Sequence, residues 1–256
     1  LEIKLETKPT HWVAGAEHLL AVCDESREVG WLGVDLEFNS IRKKICLIQI
    51  ALPSGTFLID TLHPTLDLTP LFNVFQDEGV VKIAHSASED IRLLVVNGCT
   101  PRGVFDTDIA WRLLNHPNPS LRNVLQENFQ VELSKGQQRS NWSKRPLSDA
   151  QLRYAALDVH YLYPLFQEVC RELNPRFSEK WVFQETQHIA QKFLLQEERE
   201  AAQHVFRSRF DSKTQLDELL DGVFKPLQQG LVSRYGENAG RFLLSNAQAN
   251  RIAVSG

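Results

Sequence analysis

Between Trp31 and Asp60 the chain carries three apolar runs too close together to be joined by anything but turns. Trp31-Leu-Gly-Val-Asp-Leu-Glu-Phe38 and Lys44-Ile-Cys-Leu-Ile-Gln-Ile-Ala51 are separated only by residues 39–43, and Thr56-Phe-Leu-Ile-Asp60 follows the turn Pro53-Ser-Gly55. Parallel neighbours need a crossover of about a dozen residues or more. The three runs are therefore expected to pair as an antiparallel meander.

The pattern then changes to strands alternating with helices, the signature of parallel strands joined by crossovers. A helix is expected over Leu68 to Glu78, a strand over Val80 to Ala84 and a helix over Ala87 to Asn97. A short strand, Gly103 to Asp106, and a helix, Thr107 to Leu114, follow. Upstream of the meander, Trp12, Val13, Ala16, Leu19, Leu20 and Cys23 recur at helical spacing, so residues 12–28 read as an amphipathic helix closed by Gly30. The expectation is an α/β protein with a mixed five-stranded sheet flanked by helices. Ser120 to Phe129 adds a helix, and residues 134–147 form a polar, basic loop. Ser148 reads as the N-cap of one long helix running to about Leu173. Asn174-Pro175 breaks the chain, giving domains of 1–174 and 175–256, the second a helical C-terminal extension without an assigned role.

Composition excludes little. No run of about 18 apolar residues exists, so no transmembrane helix is expected. The opening Leu1-Glu-Ile-Lys-Leu5 lacks the apolar core of a signal peptide. Cys23, Cys46, Cys99 and Cys170 are scattered, without zinc-ligand spacing, as suits thiols in a reducing cytoplasm. A net charge of −4 gives no whole-chain nucleic-acid signal, although a local basic patch would be enough to track phosphates.

The chemistry lies in three acidic segments. Asp35 and Glu37 are two apart on the first meander strand, so both point to one face. Two carboxylates among apolar neighbours repel each other unless a cation lies between them. Asp90 sits in the helix after the Val80 strand, where it can also be read as an ordinary acidic first turn. Tyr154 and Asp158 are four apart on a helix and share a face. Each segment alone has a structural explanation: a strand end, a helix N-terminus, a packed tyrosine. Together they place four hard oxygen ligands where two divalent cations, Mg²⁺ or Mn²⁺, can bind. Two metals about 4 Å apart can activate a water and stabilise the leaving oxygen of a phosphodiester.

Asp35-x-Glu37, Asp90 and Tyr154-x-x-x-Asp158 resemble the three exonuclease motifs of the DEDD superfamily in its tyrosine branch. Gly33-Val-Asp-Leu-Glu-Phe38, Cys46-Leu-Ile-Gln-Ile-Ala51, His85-Ser-Ala-Ser-Glu-Asp90, Phe105-Asp-Thr107, Gln138-Arg-Ser-Asn-Trp142 and Arg145-Pro-Leu-Ser148 sharpen the resemblance to ribonuclease D over about residues 10–173. It implies a ribonuclease H-like fold and a 3′→5′ exoribonuclease that releases nucleoside 5′-monophosphates. It also implies that Asp35 bridges both metals, that Glu37 and Asp158 complete the first site, that Asp90 holds the second, and that Tyr154 orients the attacking water. Transfer-RNA 3′ trimming is the best-known task of such enzymes, though no residue here selects it.

The expected partner is a single-stranded RNA 3′ end, with DNA as the alternative. No membrane and no obligate protein partner are inferred. A catalytically silent nucleic-acid-binding protein on this fold is the rival class, although such proteins typically lose a carboxylate. Lys135, Arg139, Lys144, Arg145 and Arg153 with Trp142 among them suit a backbone and a stacked base; alternatively Trp142 folds under a solvated loop. Phe38 is read as a wedge against the terminal base or as core. Gln49 is read as a sheet residue or a substrate neighbour, and His85 as structural or a substrate neighbour.

Overall fold

The computed structural model describes residues 8–39, 41, 43–133, 136–138, 140–173 and 178–209, with side chains through 201. The chain divides into two compact units, Leu1–Glu197 and Glu198–Gly256. The architecture below is that of the first; of the second, only helical residues 198–209 are described.

The meander forms as its spacing requires. Strands β2 (Trp31–Asn39), β3 (Lys44–Leu52) and β4 (Gly55–Ile59) pair antiparallel in sequence order. Strands β5 (Val81–Ala84) and β6 (Val104–Asp106) then add in parallel beside β2. The sheet has six strands rather than five, in the order β1-β4-β3-β2-β5-β6. The additional strand is β1 (Thr10–Val13), parallel to β4. Trp12 and Val13 thus lie in a strand, and helix α1 (Ala16–Val29) starts later than periodicity suggested. Thr, Trp and Val favour extended backbone, and the edge of β4 offers unpaired groups that residues 10–13 satisfy.

Helices cover both faces. Helix α1 with α2 (Thr69–Gln76) and α3 (Ser88–Val96) packs over Leu32, Val34 and Leu36, the alternate residues of β2. The other face carries α6 (Asp149–His160) and α7 (Leu162–Leu173). Helices α4 (Thr107–Leu113) and α5 (Leu121–Phe129) share a second core with α7 around Phe105. Helix α8 (Lys180–Arg209) contributes Val182 and Ala190 to these cores, and its buried Thr186 hydroxyl lies 2.6 Å from the Val104 carbonyl oxygen.

The long helix expected from Ser148 is two helices. Ser148 and Gln151 form a reciprocal capping box that starts α6, but α6 ends at Tyr161. Pro164 explains the break: inside a continuous helix its ring would clash with the His160 carbonyl and it offers no N–H, whereas the first turn of a new helix tolerates it. At Gly33 on β2, a Cβ would stand 3.3 Å from the Val159 carbonyl oxygen and 3.4 Å from Leu162 Cβ. Glycine there lets the α6–α7 junction lie directly on the strand.

Candidate active site

Strand alternation sends Gly33, Asp35 and Glu37 to the face opposite Val34 and Leu36, toward α6. Register shifts between Glu37 and Phe38: Glu37 faces Leu47 while Phe38 faces Ile45, leaving Cys46 as the extra residue. Such bulges re-aim side chains and gather near active sites. Helix α6 brings Tyr154 and Asp158 down on the same face. Carboxylate oxygens of Asp35, Glu37 and Asp158 come within 4.8 Å of one another. Asp90, in the first turn of α3, lines the same cleft of about 610 Å³.

These four groups are held against their charge. Burial, then Asp35, Asp158 and Asp90, pushes Glu37 up to about 10. Burial raises Asp35 to about 7 and, with the Asp35 charge added, Asp158 to about 8. Asp90 is also raised, by burial and then by Asp35 and Asp106. Burial and mutual repulsion make these carboxylates costly to ionise together, and as clustered hard oxygen donors they fit divalent metals. Tyr154 hydrogen-bonds Asp158, and burial followed by the Asp158 charge raises its phenol above its usual range. A phenol that holds its proton can orient a water but cannot act as a base at neutral pH.

Asp90 is positioned by a device in the motif Phe105-Asp-Thr107, to whose residues the sequence assigned no role. Asp106, buried at the end of β6, accepts from the backbone N–H of Ser86 and Ala87 at 2.8 Å each and of Asp108 at 2.9 Å. Thr107 donates to the Ala84 carbonyl at 3.0 Å, and its hydroxyl lies 2.8 Å from His85 Nδ1. The turn at 85–87, with Ser86 at φ 58°, is therefore tied down immediately before α3. The available signal was Phe105-Asp-Thr107 itself, an acid at a strand end directly before a helix. His85 is half-buried, lines the cleft, and is pushed down to about 4 by burial, so its ring is neutral near pH 7.

The expected nucleic-acid contacts divide. Phe38 lines the cleft while resting on the core. Gln49 is fully buried opposite Asp35 in the register and is not part of the cleft lining. Trp142 is only 2% exposed and packs near Tyr154, with ring centroids 6.2 Å apart. No base can stack on it there, because the loop folds the indole inward to bury its apolar area. Arg145 is also occupied: it donates to Asp60 at 2.7 and 3.1 Å and to the carbonyls of Cys46, Trp142 and Lys144. Lys144 and Arg153 are exposed. Arg139 and Lys135 lie outside the described residues. The cleft lining adds Asn118, Ser120, Arg122 and Asn123, which carried no motif, and Gln138, the first residue of Gln138-Arg-Ser-Asn-Trp142.

The four cysteines are buried and free. No helix among the described residues is long and apolar enough to cross a membrane.

The 3′-5′ exonuclease family model matches residues 10–174. Among curated proteins, ribonuclease D of Haemophilus influenzae is 37% identical over 178 residues, 67% of this chain and 44% of that protein. Ribonuclease D of Zymomonas mobilis is 33% identical over 178 residues, 67% of this chain and 46% of that protein. The chain thus spans about half the length of the curated relatives it matches. Among solved structures, the catalytic core of RRP6 from Trypanosoma brucei superposes with a TM-score of 0.68 at 30% identity, covering 74% of this chain and 54% of that one. Escherichia coli RNase D gives 0.66 at 26% identity, covering 73% and 51%.

Proposed function

The chain belongs to the 3′-5′ exonuclease family, and from that premise we propose that it degrades RNA from the 3′ end and releases nucleoside 5′-monophosphates. The observation that carries this reading is the cluster of Asp35, Glu37 and Asp158 in a cleft shared with Asp90 and Tyr154. RNA is favoured over DNA by the ribonuclease D relatives.

Asp35, Glu37 and Asp158 would hold one divalent cation, and Asp90 with Asp35 a second; Mg²⁺ and Mn²⁺ both suit the donors. When bound, the cations supply a more acidic water and neutralise charge on the phosphate. Tyr154 aims the attacking oxygen through its hydroxyl. Phe38 offers an apolar surface to the terminal nucleoside. Water adds across the terminal phosphodiester, so that the P–O3′ bond breaks. The phosphate leaves with the terminal nucleoside, and the shortened chain gains a 3′ hydroxyl. Every side chain invoked lies within residues 1–174, the proposed exonuclease domain.

The test is Mn²⁺-supported degradation of matched single-stranded RNA and DNA with free or phosphorylated 3′ ends. Mononucleotide release from RNA with a free 3′ hydroxyl is expected, and its loss in a folded Asp35→Asn variant. Faster attack on DNA would move the substrate assignment to DNA. Cleavage of circular strands, or full activity in Asp35→Asn, would overturn the proposal.

A further inference from the structure

The cleft lining is of two kinds. Beside the four carboxylates lies a set contributed by the approach to α5 and its first turn: Asn118, Ser120, Arg122 and Asn123. Arg122 is the one Lys or Arg among the described residues that line the cleft. Its ionic partner is Glu132 at 3.7 Å, a carboxylate 81% exposed against 39% for the arginine. An exposed pair at that distance contributes little, so Arg122 is free to change partners.

A polynucleotide brings one anionic phosphate per residue into this acidic cleft. Cations held by the carboxylates would match the scissile phosphate; for the next phosphate toward the 5′ end, the described lining offers Arg122 as its one Lys or Arg. A guanidinium offers a planar fork of donors that fits a phosphate with two parallel hydrogen bonds. The side-chain amides of Asn118 and Asn123 add neutral donors next to it.

We propose that Arg122 exchanges Glu132 for the phosphodiester on the 5′ side of the scissile one, and so sets the requirement for a polynucleotide rather than a single phosphodiester. The proposal deepens the exonuclease reading and rests on it. Arg122 is a binding residue here, remote from the bond that breaks.

The experiment compares a short oligoribonucleotide with the p-nitrophenyl ester of uridine 5′-monophosphate, which has a scissile phosphodiester and no phosphate beyond it. Arg122→Ala should raise KM for the oligonucleotide and leave hydrolysis of the ester unchanged. The slope of log affinity against log salt should fall by about 0.7, the value for one single-strand phosphate contact. Arg122→Lys should restore the slope. Glu132→Gln should lower the oligonucleotide KM in the native background but not beside Arg122→Ala. An unchanged slope, or an equal loss on the ester, overturns the assignment. Anisotropy binding of the same oligonucleotide in EDTA keeps the two readings apart. An Arg122-dependent slope without any turnover would sink the exonuclease function and keep the contact, whereas turnover with an Arg122-independent slope would do the reverse.

Discussion

Tyr154 sits between two roles, packing and catalysis, and its surroundings separate them. The ring rests in the small apolar cluster with Trp142 and Leu147, while the hydroxyl reaches Asp158. Tyr154→Phe keeps the packing and removes one hydrogen bond. Single-turnover cleavage should fall about 10²–10³-fold, the usual cost of removing one positioned hydrogen-bond group, with Mn²⁺ affinity nearly constant. Wild-type cleavage by this variant would make Tyr154 a packing residue only. Arg145 gives the converse case. A basic residue in a polar loop reads as a phosphate ligand, yet it joins β4 and β3 to the loop through Asp60 and three carbonyls. Arg145→Ala should therefore lower stability by about 1.5–3 kcal/mol, typical for hydrogen bonds to a charged group. The change should appear as a lower denaturation midpoint, with the salt dependence of RNA binding unaltered.

Among the elements, those with periodic apolar residues and strong punctuation were legible. Strands β2 to β4 and helices α2 to α5 lie where alternation, helical spacing and turn residues put them. Spacing within one strand pairs Asp35 with Glu37, and spacing within one helix pairs Tyr154 with Asp158; that the pairs meet was implied by the resemblance, and the structure brings Asp35, Glu37 and Asp158 together. Elements decided by distant partners were not. Strand β1 exists because β4 presents an edge to it, and the α6–α7 break follows from Pro164, whose effect periodicity alone does not show. Trp142 and Arg145 are adjacent in composition to a substrate surface but are turned inward by contacts 85 or more residues away in sequence, such as Arg145–Asp60. Asp106 stood in a quoted motif without a role, because its work is done on backbone N–H groups of another turn.

At the scale of the whole molecule, the carboxylate cluster makes stability depend on pH and metal together. In the folded protein Asp35, Asp158 and Glu37 hold their protons to about 7, 8 and 10, above their usual carboxylate values. Between pH 6.5 and 8 the folded state thus binds more protons than the unfolded state, and stability must fall as pH rises. The slope is about 1.4 kcal/mol per pH unit for each proton still held. His85, pushed down to about 4, has the opposite sign, but at pH 6.5, where the unfolded imidazole is half protonated, only about 0.4 kcal/mol of its contribution remains. Lys82, buried and lowered to about 8, has the opposite sign as well and begins to act near pH 7, but at pH 8 it offsets only about half a proton. Thermal unfolding in EDTA should show a Tm that declines from pH 6.5 to 8. Added Mn²⁺ should raise Tm, and more at pH 8, where fewer protons must be displaced. A Tm indifferent to both would mean that these carboxylates do not share a cation site.

The bare backbone at Gly33 works as a spacing gauge for that site. It stands two residues before Asp35 and beneath Val159, the neighbour of Asp158, so it sets how closely the two halves of the ligand cage can meet. A methyl group there acts as a shim of a few tenths of an ångström. Mg²⁺ demands oxygen ligands at about 2.0–2.1 Å, while larger cations accept a looser cage. Gly33→Ala should therefore weaken Mg²⁺-supported cleavage more than Mn²⁺-supported cleavage, measured as the ratio of the two rates. Equal loss with both ions would show that the shim disturbs the fold rather than the bite of the cage. On the expected outcome, the preferred ion would be tuned by a residue that has no side chain to offer a metal.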